Sequence, residues 1–113
     1  MGLDVHRDII VACLAKGELG TDLEIEIRSF STLVPEMKKL RGWVLEAGCH
    51  HIAMESTGIY WQPICEILEP CFEGKINILV VNGRHMKNVP GRKTGMRDAQ
   101  WIATLLRAGL LKG

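Results

Sequence analysis

The first 28 residues carry no helical period, so whatever this chain folds into must begin with extended strands. Gly2-Leu-Asp-Val-His6 alternates, with Leu3 and Val5 on one face and Asp4 and His6 on the other. A polar corner at Arg7-Asp8 precedes the apolar run Ile9 to Leu14, and Gly17 and Gly20 punctuate a turn. Leu23-Glu-Ile-Glu-Ile-Arg28 alternates strictly, as a half-exposed strand does. Three strands with short connections are expected, in an antiparallel meander.

The period then changes. Leu33, Met37, Leu40, Val44 and Leu45 recur at helical spacing, Ser31 or Thr32 offers an N-cap, Pro35-Glu36 suits a first turn and Gly48 a stop. His51 to Glu55 reads as a short buried strand. Thr57 can cap a second helix that turns Trp61, Ile64 and Leu68 inward, with Pro63 early enough to be tolerated. The apolar run Ile76 to Val81 reads as a fifth strand, central and covered on both faces. Residues 82–94 look like a loop, and a last helix from about Met96 buries Trp101, Ile102, Leu105 and Leu106. The order βββ-α-β-α-β-α in 113 residues, 47% of them hydrophobic, predicts one α/β domain. Its sheet is mixed and five-stranded, with helices on both faces.

Charge divides the chain. Gly74 to Gly113 holds eight basic residues and one acid, Asp98, whereas the first 73 residues hold six bases and twelve acids. A +7 segment facing a −6 segment suggests a polyanion held beside a site that needs negative charge. No apolar run approaches the ~20 residues of a membrane span, and charge begins at Asp4, against a signal sequence. A cytoplasmic protein with no membrane partner is expected. Cys13, Cys49, Cys65 and Cys71 lack any C-x-x-C spacing and read as reduced thiols, and His50 and His51 as surface residues.

Three acids fall on separate elements. Asp4 lies in the first strand, on the face away from Leu3 and Val5. Glu55 closes an apolar strand, where sites gather in open α/β sheets. Asp98 precedes Trp101, Ile102 and Leu105 by three, four and seven positions, so it shares the face that packs on the sheet. Three carboxylates that converge would form a hard-oxygen site suited to Mg²⁺ or Mn²⁺. Arg84, Lys87, Arg92, Lys93 and Arg97 have no acid among them and flank Pro90-Gly91, which lets backbone approach a phosphate. His6 shares the Asp4 face and is expected near the metal, while Trp61 and Trp101 read as core rather than as base-stacking platforms.

Gly2-Leu-Asp-Val-His6, Met54-Glu-Ser-Thr-Gly-Ile-Tyr-Trp61 and the stretch from Val81-Asn82 through Asn88-Val-Pro-Gly-Arg-Lys-Thr94 carry a resemblance that Asp98-Ala-Gln-Trp-Ile-Ala103 and Leu105-Leu-Arg-Ala-Gly-Leu-Leu111 continue. The chain resembles the N-terminal domain of DEDD-type insertion-sequence transposases, the IS-one-ten family related to Piv-type invertases. The resemblance implies a ribonuclease-H-like, RuvC-like fold and divalent-metal-dependent recombination of DNA. It implies further that Asp4, Glu55 and Asp98 are catalytic metal ligands, and that the full-length protein pairs with DNA through a structured guide RNA as a homo-oligomer in the prokaryotic cytosol. A C-terminal domain bearing a nucleophilic serine is also implied. Residues 1–113 are accordingly expected to bind nucleic acid and metal as a single domain without completing recombination.

One position departs from the family. Its pattern places an acid three residues before the last aspartate, and Gly95 stands there. Glycine has no side chain to ligate a cation, so Gly95→Asp is expected to raise Mg²⁺ affinity, as read by calorimetric titration. Two rival readings follow from the same residues: a non-catalytic nucleic-acid-binding or assembly module, and a half-domain of an actin-like or sugar-kinase ATPase. The second needs a further glycine-rich phosphate loop, which the sequence lacks.

Overall fold

The computed structural model describes residues 1–17, 24–56, 58–69, 76–81 and 98–107. Strands β1 (Gly2–Val5), β2 (Ile9–Lys16) and β3 (Glu24–Ser31) are followed by α1 (Val34–Glu46) and β4 (His51–Ser56). Helix α2 (Trp61–Leu68), strand β5 (Asn77–Val81) and helix α3 (Asp98–Arg107) complete the order. The sheet runs β3-β2-β1-β4-β5, antiparallel across the first three strands and parallel from β1 through β4 to β5. The expected meander and mixed sheet are both present.

Alternation decides which helix covers which face. Leu3, Val5, Ile10, Ala12, Leu14, Ile52 and Met54 point to one side, where Met37, Leu40, Trp43 and Val44 of α1 and Ile64 and Leu68 of α2 bury them. The opposite face presents small residues, Gly2, Cys13 and Ala53, and α3 lies there with Ala99, Trp101, Ile102, Ala103 and Leu105 buried. Trp101 is core, as expected, and Trp61 is half-buried against the α1–α2 cluster. Cys13 and Cys65 are buried free thiols, and burial pushes Cys65 up to about 11, far from a reactive thiolate.

Three expectations need correction. Strand β5 is the edge strand beyond β4 rather than central; β1 is central because it pairs with both β2 and β4. The apolar character of β5 comes from cover on both faces, Ile78 and Val80 packing on the α1–α2 side and Leu79 and Val81 on the α3 side. Second, neither Ser31 nor Thr32 caps α1. Leu33 is the N-cap residue and makes no side-chain cap bond. The Thr32 hydroxyl instead donates to the Arg7 carbonyl at 2.8 Å, and the Ser31 hydroxyl oxygen accepts from the Leu33 N–H at 3.3 Å. Lys39, with its ammonium 2.9 Å from the Glu36 carboxylate, holds that carboxyl below its usual range, with a smaller contribution from the Ser31 backbone. Third, Leu33 and Leu45 are exposed at 67% and 49%, and Trp43 is buried in their stead. At about 100° per residue, Leu45 falls off the stripe that Met37, Leu40 and Val44 define, whereas Trp43 lies on it. Trp43 also joins α1 to β3, with its ring 6.0 Å from that of Phe30 and 4.4 Å below the Arg28 guanidinium.

Gly48 stops α1 as expected. Its φ of +66° suits glycine, its N–H donates to Leu45 and that of Cys49 to Val44, which is the Schellman arrangement. The expected cap at Thr57 and the segment 82–94 lie outside the described residues.

Candidate functional site

The register of the parallel pair builds the site. Asp4 and Glu55 are direct partners across β1 and β4, so both project from the α3 face at the carboxyl end of their strands. Asp98, the first residue of α3, enters from above. One carboxylate oxygen from each of Asp4, Glu55 and Asp98 lies within 4.8 Å of the others. The structure thus brings together the three acids singled out from the sequence, which are 51 and 43 positions apart in the chain.

Burial is graded across the three. Asp4 is 9% exposed and is the buried charged residue of the described chain, Glu55 is intermediate and Asp98 is exposed. The expectation that Asp98 would share the packed face is met by its neighbours but not by its own side chain. As the first residue of α3 it sits at the rim, open to solvent. A carboxylate at a helix N-terminus is also favoured by the helix dipole. Like charges at this spacing repel by on the order of a few kcal/mol per pair before screening, which favours a cation between them.

The close approach of α3 is what sets Asp98 near the sheet. A Cβ built on Gly2 would overlap the Ala103 nitrogen and the Ala99 oxygen, so the α3 backbone rests directly on β1. Ala99 and Ala103, one helical turn apart, and Cys13 opposite Gly2 keep that contact short. The sequence carried a legible signal here, a glycine inside a strand and two alanines at i, i+4, which the reading by charge and apolar period passes over.

His6, on the Asp4 face as its alternation requires, meets that carboxylate. Its Nε2 lies 3.0 Å from Asp4 Oδ2, with the imidazole 52% and the Asp4 side chain 12% exposed. Its backbone N–H donates to the Ile9 carbonyl at 2.9 Å, closing the β1–β2 turn. Of the basic residues singled out, Arg84, Lys87, Arg92, Lys93 and Arg97 lie outside the described residues, as does Gly95.

A central strand flanked by a hairpin on one side and parallel strands on the other, with acids at the carboxyl edge and helices on both faces, defines a ribonuclease-H-like domain of the RuvC type. The family model for DEDD transposases of the IS110 group matches residues 1–113, and the chain belongs to that transposase family. Among solved structures it is similar to Thermus thermophilus RuvC (TM-score 0.58, 15% identity, covering 98% of this chain and 96% of that one). The same protein in complex with a Holliday junction substrate gives a TM-score of 0.61 at 13% identity, with coverage of 98% and 96%. The Fowlpox virus resolvase in complex with Holliday junction DNA gives 0.56 at 11% identity, covering 94% of this chain and 73% of that one. These identities establish a shared fold. No curated protein sequence matches the chain. Among the described residues, no helix is long and apolar enough to cross a membrane.

Proposed function

We propose that residues 1–113 are the catalytic-core domain of a DNA transposase, in which Asp4, Glu55 and Asp98 hold Mg²⁺ or Mn²⁺ for cleavage and exchange of DNA strands. The carrying observation is the convergence of three carboxylate oxygens within 4.8 Å. The donor set fits the ion. All three ligands are hard oxygens, and cis oxygens on one octahedral Mg²⁺ at ~2.1 Å lie about 3 Å apart, so closure needs side-chain movements of no more than about an ångström each. When bound, the cation would act as a Lewis acid on a phosphodiester oxygen and offset charge developing in the transition state.

The chain's own residues supply position and charge. Asp4 and Glu55 are fixed by the strand ladder and Asp98 by the seat of α3. Arg84, Lys87, Arg92, Lys93 and Arg97 bind backbone phosphates, which draws a nucleic acid across the acids. In the full-length protein a serine of the C-terminal domain attacks DNA, a structured guide RNA selects the target, and the protein works as a homo-oligomer in the prokaryotic cytosol. This reading rests on the family to which the chain belongs.

The test has two arms. Full-length transposase is expected to nick branched DNA with Mg²⁺ and to lose that activity in chelator. The 113-residue chain is expected to bind duplex DNA with log Kd rising steeply with log salt, the slope reaching about +4.5 if all five bases meet phosphates, and shrinking by about 1 for each base replaced by alanine. A flat salt dependence removes the basic segment from the reading. Binding with no metal-dependent nicking instead supports a non-catalytic module.

A further inference from the structure

We infer that His6 is a positioning residue for the metal centre, holding the Asp4 carboxylate in the orientation that divalent-ion binding requires. The inference rests on the reading of Asp4, Glu55 and Asp98 as ligands, but its observation is separate from theirs. Nε2 of His6 lies 3.0 Å from Oδ2 of Asp4, so the imidazole edge abuts one oxygen of the carboxylate.

The side-chain torsion of an aspartate that orients its two oxygens is broad, with no sharp staggered preference. Backbone register therefore places Asp4 beside Glu55 without fixing which way its oxygens face. An imidazole held against one oxygen narrows that freedom. His6 suits the task because residues i and i+2 of a strand share a face, and because it stands one residue beyond the end of β1. Its own backbone is anchored by the 2.9 Å bond to Ile9, and the Thr32 N–H and hydroxyl tie the neighbouring Asp8 and Arg7 carbonyls to the end of β3. The turn carrying the imidazole is thus braced from two strands. An imidazole 52% exposed contributes little to the core, so a purely structural role predicts little consequence from its loss.

Partners that orient metal ligands typically account for 10–100-fold in metal affinity. The experiment is a Mn²⁺ titration of the metal-free 113-residue chain, followed by calorimetry and by the electron paramagnetic resonance of the free ion, with no DNA present. His6→Ala is expected to weaken Mn²⁺ binding by about tenfold or more while leaving the metal-free melting temperature unchanged. His6→Gln, which restores an N–H donor of similar reach, is expected to recover most of the affinity. Asp4→Asn is titrated alongside. If Asp4→Asn loses Mn²⁺ and His6→Ala binds it as tightly as the native chain, or more tightly, the positioning role is overturned and the metal site stands. If Asp4→Asn keeps full affinity, the metal site itself fails and takes this inference with it.

Discussion

Gly2→Val is expected to lower the melting temperature by about 10 °C and to abolish Mn²⁺ binding, although Gly2 offers no ligand. The cause is steric. Any Cβ at position 2 meets the backbone of α3 at Ala99 and Ala103, and backbone cannot rotate aside as a flexible side chain can. The helix must lift from β1. Forced overpacking of this kind costs about 1–3 kcal/mol, and each kcal/mol moves the midpoint of a domain this size by several degrees. Lifting α3 also carries Asp98 away from Asp4 and Glu55, which are fixed to each other by the β1–β4 ladder. Thermal denaturation by circular dichroism and Mn²⁺ calorimetry on the same preparation check both parts. A folded Gly2→Val chain with native metal affinity would show that the seat of α3 does not set the site.

Asp4→Asn should do the reverse to stability and the same to binding. Asparagine keeps the volume of aspartate, so the core beneath it is undisturbed. Removing one of three clustered carboxylates relieves repulsion, and the metal-free melting temperature is expected to stay level or rise. What disappears is the response to metal. A ligand at 100 times its Kd stabilises the folded state by about 2.7 kcal/mol, which is a rise of roughly 10 °C for a domain of this length. The native chain is expected to show that rise in Mn²⁺, and Asp4→Asn none. In the full-length transposase the same substitution is expected to slow DNA cleavage by about a thousandfold, equivalent to some 4 kcal/mol of lost transition-state stabilisation. An undiminished Mn²⁺ shift in Asp4→Asn would remove Asp4 from the ligand set.

The meander β1-β2-β3 was legible because alternation and hairpin connections are local, and so was the Gly48 stop, a matter of one residue's φ. Pairings between distant segments were not. Nothing near residue 55 states that it lies opposite residue 4, since that register is settled by where β4 docks on β1. The apolar run in β5 correctly signalled cover on two faces but said nothing of centrality, because an edge strand between two helical layers has the same composition. The cap of α1 went astray because Thr32 spends its hydroxyl on the Arg7 carbonyl, a long-range partner invisible to local reading. Of the candidate site, the acids were found from their elements and from family resemblance. His6 was placed on the Asp4 face by alternation alone, but its 3.0 Å approach to the carboxylate and the Gly2 contact were not legible, since both depend on separations of a few ångströms.

The docking of α3 against Gly2 bears on the order in which the protein becomes able to act. A ribosome delivers Asp4 first, Glu55 some fifty residues later and Asp98 near the end of the stretch. The β1–β4 ladder can form as soon as β4 emerges, yet it offers two acids, not three. Only when the final helix settles onto its small-residue seat is the third oxygen in place. A chain without α3 in place therefore lacks the third carboxylate of the proposed cation site.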